Sequence, residues 1–209
     1  ATASLGAVFS SCSPDFGLQG VCDRFGQIEP KILIGCDGYH YAGKAIDRMD
    51  VLAALAQKLP TVDVVLVIGY LSAQPDCSRL PNAMLFSQAV ANATAITQFR
   101  RMPFNAPLYI LYSSGTTGAP KCIVHGIGGT LIQHIKEHRL HTNVKPGDRL
   151  FYFTTCGWMM WNWLVSGLAS KAHILLYEGN PAYPGPDRLW RLAEGEKISI
   201  FGTSAKYID

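Results

Sequence analysis

The sequence predicts an α/β fold: a doubly wound, largely parallel sheet with flanking helices. Two observations and their order along the chain carry this. Short runs rich in aliphatic and aromatic residues recur at 5–10, 31–35, 62–70, 107–112, 149–154, 173–177 and 198–202. Stretches with helical spacing of apolar residues lie between several of them. Strand and helix therefore alternate, which favours right-handed β-α-β units.

After the first run, Leu18, Val21, Cys22 and Phe25 follow i, i+3, i+4, i+7 and predict a helix. Leu52, Leu55 and Leu59 keep to one face of a second helix. Leu131, Ile132 and Ile135 open the apolar face of a third, within residues 130–138. Asp187 is placed to cap a fourth, which carries Leu189, Trp190 and Leu192. Residues 71–83 are polar and contain Pro75 and Pro81, so they read as a linker. A subdomain division is expected near 71–106. No internal repeat is present.

A chain of 209 residues can bury one substantial core, or one large domain and part of another. With 48% hydrophobic and 16% charged residues the composition is that of a globular protein. A net charge of +3 argues against a nucleic-acid partner. The local basic cluster Lys136, Arg139, Lys145 and Arg149 is interrupted by Glu137 and Asp148. The six cysteines form no C-x-x-C pair, which favours reduced thiols and a cytoplasmic setting. The longest apolar stretch, 158–169, is shorter than the roughly 20 residues a membrane helix needs, so no membrane span is expected. Oligomeric state is not readable. The chain opens without Met and stops just past a predicted strand, so the expectation is an internal piece of a longer protein.

The most informative segment is 112–121, Tyr-Ser-Ser-Gly-Thr-Thr-Gly-Ala-Pro-Lys. The hydroxyls of Ser113, Ser114, Thr116 and Thr117 surround Gly115 and Gly118, and Lys121 closes the loop. Glycines let backbone N–H groups turn toward an anion, hydroxyls donate to phosphate oxygens, and the lysine adds a mobile positive charge. A Walker A loop is excluded, because Ala119 and Pro120 separate Gly118 from Lys121 and Pro120 has no N–H to offer.

This segment resembles the phosphate-binding signature of the AMP-forming acyl-CoA synthetase (adenylate-forming) superfamily. Residues 5–17 and 37–44 (Asp-Gly-Tyr-His-Tyr-Ala-Gly-Lys) resemble the family's CoA-side segments, where Lys44 stands for an arginine of acetyl-CoA synthetases. Four later segments are more selective: 156–163 (Cys-Gly-Trp-Met-Met-Trp-Asn-Trp), 177–181, 183–190 and 201–207 (Phe-Gly-Thr-Ser-Ala-Lys-Tyr). Within the superfamily they look most like the acetoacetyl-CoA synthetases. The resemblance implies that the chain is part of the large N-terminal domain of an adenylate-forming enzyme. The small C-terminal domain lies outside the matched region.

It also implies a reaction. A short carboxylic acid, with acetoacetate the first expectation, attacks the α-phosphorus of ATP·Mg2+, and CoA then displaces AMP. Ser113, Ser114, Gly115, Thr116, Thr117, Gly118 and Lys121 would hold the phosphates, with Thr116, Thr117 and Lys121 as the catalytic set. Trp158, Met160, Trp161, Asn162 and Ser204 would bound the acyl group, and Lys44 would meet CoA. The family's adenine, ribose and magnesium ligands have no counterpart here, so the chain alone is expected to be inactive. An acetyl- or propionyl-type synthetase is the nearest alternative.

Two readings from other classes compete. His134-Ile-Lys-Glu-His138 matches the H-x-x-E-H pattern of some zinc hydrolases, and on an α-helix His141 would share that face. A solvated polar helix face explains the same residues without a metal, and no zinc is the expectation. The remaining alternative is a nucleotide-binding module without catalysis.

Overall fold

The computed structural model describes residues 1–113 and 118–209. They form two compact units. One is Ala1–Ser11, Arg100–Leu111 and Val124–Asp209; the other is Cys12–Phe99 with Tyr112–Ile123. In chain order the strands are β1 (Phe9–Ser10), β2 (Ile32–Cys36), β3 (Gly38–Tyr41), β4 (Lys44–Asp47), β5 (Val64–Ile68), β6 (Ala83–Leu85), β7 (Pro107–Tyr112), β8 (Cys122–Gly126), β9 (Arg149–Tyr152), β10 (His173–Leu175) and β11 (Ile200–Gly202). The α-helices are α1 (Leu18–Phe25), α2 (Met49–Lys58), α3 (Phe86–Ala91), α4 (Ile127–Lys136), α5 (Met159–Ser166), α6 (Arg188–Gly195) and α7 (Ala205–Ile208). The fold is α/β, with parallel sheets and flanking helices. The strands are shared among three three-stranded sheets, ordered β1-β7-β8, β2-β5-β6 and β10-β9-β11, and the hairpin β3-β4. No helix among the described residues is long and apolar enough to cross a membrane.

In the second unit, β2 and β6 both pair in parallel with β5. Val65 and Val67 of β5 are buried against Leu33, Leu85 and the Leu52, Leu55 and Leu59 stripe of α2. Val21 of α1 joins the same core, so both helices pack through the faces their spacing predicts. The β3-β4 hairpin was not visible as an apolar run. Its two-residue turn has Ala42 at φ 49° and Gly43 at φ 78°, the pair of positive angles that lets strand twist continue through a tight hairpin.

Residues 71–83 are not a free linker but part of this unit. Leu80 is buried in its core. The buried Asp37 carboxylate accepts the backbone N–H groups of Tyr70 (2.7 Å), Leu71 (2.9 Å) and Ser72 (2.8 Å). One side chain thus ties the end of β5 to the turn between β2 and β3.

In the first unit the early run at 5–10 is only partly strand. Ala3–Leu5 forms a 3-10 turn ending at Gly6, and β1 is confined to Phe9–Ser10, parallel to β7. The sheet β10-β9-β11 is fully parallel. Its central strand holds Leu150 and Phe151, both essentially inaccessible. Side chains alternate across a strand, so one face packs Leu150 and Tyr152 with Trp163 and Leu164 of α5. The other packs Phe151 against a tilted Phe201 ring, which stacks on Trp190 of α6. Asp187 precedes α6 as expected, but its carboxylate takes Arg191 Nε rather than a backbone N–H.

The α4 helix corrects its expected orientation. Leu131 and Ile132 are exposed, and the buried positions are Thr130 and His134, followed by His138. The backbone at Glu137–His141 is a π-type turn, whose wider i to i+5 spacing takes His141 out of the α-helical register and leaves it exposed.

Burial alone would raise the Asp37 pKa, but the amides of Leu71, Tyr70 and Ser72 outweigh it and hold the group below the ordinary carboxylate value. A depressed folded-state pKa gives stability that is present above the unfolded value and lost as pH falls through the folded one. Asp37→Ala should therefore cost about 2 kcal/mol near neutral pH. The wild-type advantage in urea denaturation should shrink as pH drops below about 4. An advantage that persists undiminished at low pH would show that the carboxylate charge is not what holds the turn.

Candidate functional site

The apolar strand β7 delivers Ser113, and β8 leads away from Lys121. Ser113 and Lys121 close the neck of the loop between them. The Ser113 N–H donates to the Lys121 carbonyl at 3.0 Å, and the Lys121 N–H donates to Ser113 Oγ at 3.2 Å. Gln27 Nε2 donates to the Pro120 carbonyl at 2.8 Å, which ties the return arm to the end of α1. Gly118 has φ 155° with open space where a Cβ would sit, so backbone conformation, not crowding, calls for glycine there. The Lys121 side chain is exposed. Ser114, Gly115, Thr116 and Thr117 lie outside the described residues. Lys44 is exposed at the start of β4, opposite Tyr41 across the hairpin.

The first unit contains a cavity of about 660 Å³. Its place follows from the sheet order. β9 is followed in sequence by β10 on one side and then by β11 on the other, so the connections diverge at β9. Crevices at the carboxyl ends of such strands are where open α/β sheets bind ligands. The wall includes Phe151 and Tyr152 from the end of β9, Phe201 and Gly202 from the end of β11, and Met159, Met160 and Trp163 from α5. Gln133, His134 and Glu137 contribute polar groups, with His125 from β8.

Of the expected acyl-site residues, the cavity brings in Met160. Trp158 is 63% exposed at the start of α5. Trp161 is half-buried and Ser204 is exposed at the start of α7. Asn162 is buried, with its Nδ2 unpartnered among the described residues, but it is not on the cavity wall. Two wall residues were overlooked although the sequence marked them. His134 was singled out by its H-x-x-E-H spacing, for a different chemistry. Gly202 interrupts an apolar run, the usual sign of a close approach to a strand.

His134 and His138 are buried, not on a solvated helix face. His134 Nδ1 lies 2.8 Å from Ser166 Oγ, and His138 Nε2 lies 3.0 Å from the Trp163 carbonyl. Burial lowers the pKa of both rings. For His134 the neighbouring His138 and His125 lower it further, and Glu137 opposes them. Both rings are thus kept neutral at physiological pH. Among the described residues no three His, Cys, Asp or Glu side chains are grouped as a metal site.

The family model described as AMP-binding enzyme matches residues 1–208. The chain belongs to the AMP-binding enzyme family. It is 54% identical to the acetoacetyl-coenzyme A synthetase of Rhizobium meliloti (strain 1021), over all of this chain and 32% of that protein. It is 47% identical to the acetoacetyl-CoA synthetase of Gallus gallus, again over all of this chain and 32% of the relative. The solved structure of acetoacetyl-CoA synthetase from Streptomyces lividans superposes with a TM-score of 0.93 at 46% identity, covering 99% of this chain and 31% of that one. The chain thus spans about a third of the length of these relatives.

On the cavity wall of this family member, Gly202 is in close approach to Tyr152. A Cβ there would stand 2.2 Å from Tyr152 Cδ2. Gly202→Ala should push the Tyr152 ring out of place and destabilise by about 1–3 kcal/mol, read as a lowered Tm. An unchanged Tm would mean that the ring yields freely and the close approach is not a constraint.

Proposed function

We propose that this chain is the phosphate-loop and acyl-pocket portion of an AMP-forming acid–CoA ligase acting on acetoacetate. The observation that carries the reading is 46–54% identity to acetoacetyl-CoA synthetases along essentially the whole chain. In this reading the carboxylate attacks the α-phosphorus of Mg2+-bound ATP, pyrophosphate leaves, and the CoA thiol displaces AMP to form the thioester. The protein's part is mainly positioning and charge neutralisation. Residues 113–118 with Lys121 hold the leaving phosphates, Thr116, Thr117 and Lys121 forming the catalytic set. Lys44 faces the CoA phosphate. The setting is cytoplasmic. The chain is a stretch of the large N-terminal domain, and groups for adenine, ribose and Mg2+ come from the rest of the protein, so the chain alone does not turn over.

The acyl group occupies the cavity between α4, α5 and the ends of β9 and β11. A volume of about 660 Å³ exceeds the needs of a four-carbon acid, so volume does not select it. Selection rests on polar wall groups. Gln133 and Tyr152 line that wall and carry donor groups suited to a keto oxygen, although Gln133 Nε2 already gives one hydrogen bond to Glu137 Oε1. A site that pairs a keto group leaves its donor unsatisfied when the analogue lacks one.

Two measurements on the full-length ligase test this. Thr116→Ala combined with Thr117→Ala removes two hydrogen bonds to charged phosphate, each worth about 1.5–3 kcal/mol, so pyrophosphate exchange should fall roughly a hundredfold or more. Exchange at the wild-type rate would remove these hydroxyls from the catalytic set. Acetoacetate should also exceed acetate and butyrate in kcat/KM. Equal or better kcat/KM for butyrate would leave a generic short-chain acyl-CoA synthetase.

A further inference from the structure

Ser166 ends α5 with its hydroxyl between two partners. Its Oγ is 2.8 Å from the Asn162 carbonyl oxygen and 2.8 Å from His134 Nδ1. A hydroxyl has one proton to give, and a carbonyl oxygen can only accept. The proton therefore goes to Asn162, as serines in helices commonly bond the carbonyl four residues back. The bond between Ser166 and His134 must then be donated by the ring, so Nδ1 carries the hydrogen. In a neutral imidazole the other nitrogen, Nε2, is then bare and can only accept. His134 is 5% exposed and forms part of the cavity wall. With Nδ1 turned to Ser166, Nε2 is the ring nitrogen left to meet an occupant.

We infer that His134 is a specificity-determining residue of the cavity and that Ser166 sets its polarity, so that the two together present a hydrogen-bond acceptor to the acyl group. This rests on the acid–CoA ligase reading and refines it. A keto oxygen is also only an acceptor, so a β-keto acid gains nothing from neutral His134 and depends on a donor elsewhere on the wall. A short acid of the same outline with a donor on its β carbon bonds Nε2 directly. Malonamate is the matching probe: it has the shape of acetoacetate with an amide NH2 in place of the methyl group. Butyrate, with neither donor nor acceptor at that carbon, is the reference.

Ser166→Ala removes the acceptor that holds the Nδ1–H tautomer. Nε2 can then carry the proton and donate to a ketone. In the full-length ligase the kcat/KM ratio of malonamate to acetoacetate should fall by about tenfold, the effect of one neutral hydrogen bond gained or lost. His134→Phe should lower the ratio of malonamate to butyrate by a similar factor, and His134→Gln, whose amide oxygen can accept, should restore most of it. A merely structural role would lower all three acids together and leave both ratios unmoved, which would overturn the assignment. The tautomer is read separately, by 15N chemical shifts of histidine-labelled protein. The Nδ1–H form is expected at His134 in the wild type and a mixture in Ser166→Ala. An Nε2–H form in the wild type would refute the hydrogen-bond chain. If none of the three acids yields AMP, the ligase reading fails and the specificity role falls with it, while the 15N shifts still decide the chain from Ser166 to His134.

Discussion

The cavity exists because β9 is buried on both faces. Leu150 and Phe151 point to opposite sides of the sheet and neither meets solvent, so α5 must cover one face and α6 the other. That constraint aligns the carboxyl ends of β9 and β11 and brings Met160 and Trp163 over them. Both Gly202 and Tyr152 line the pocket, and the missing side chain at Gly202 lets the Tyr152 ring approach the strand closely. A binding crevice is thus a by-product of packing a parallel sheet whose connections diverge at its middle strand.

Several buried polar groups in this chain are anchored by partners on other segments. Asp37 holds three consecutive amides, which gives an irregular segment a fixed path. His138 donates to the Trp163 carbonyl, and Ser166 joins His134 to the carbonyl of Asn162. Each bond offsets a desolvation cost that would otherwise oppose folding, and each also fixes an orientation. In α4 the second effect is the functional one: the helix turns its histidines inward and its Leu131 and Ile132 outward, against the ordinary order of burial.

Anchoring extends to where α4 starts. The N–H groups of Ile127 and Gly128 donate to the carbonyls of Ala106 and Phe104, both at 2.9 Å. These helix-end donors are therefore committed to the backbone just before β7. This helps fix the rotation of α4 about its axis, and with it the helix face that carries His134, while the bond to Ser166 orients the ring.

The sequence by itself determined the α/β class, the seven apolar strands, the packing faces of α1 and α2, and the family, because each is written in local periodicity or in a short ordered motif. Apolar spacing is a local property, and residues 112–121 are contiguous. Tertiary structure alone decided the rest. The β3-β4 hairpin depends on the positive backbone angles of Ala42 and Gly43, and residues 71–83 owe their place to a carboxylate more than thirty positions earlier. The π-type turn at Glu137–His141 separates histidines that an ideal helix would align. Most of the cavity wall comes from strand and helix ends far apart in the chain, which is why of the five expected acyl-site residues Met160 alone lies on it. His134 was conspicuous from the start, but whether such a ring meets water, a metal or a substrate is set by what packs against it, and Ser166 is thirty-two residues away.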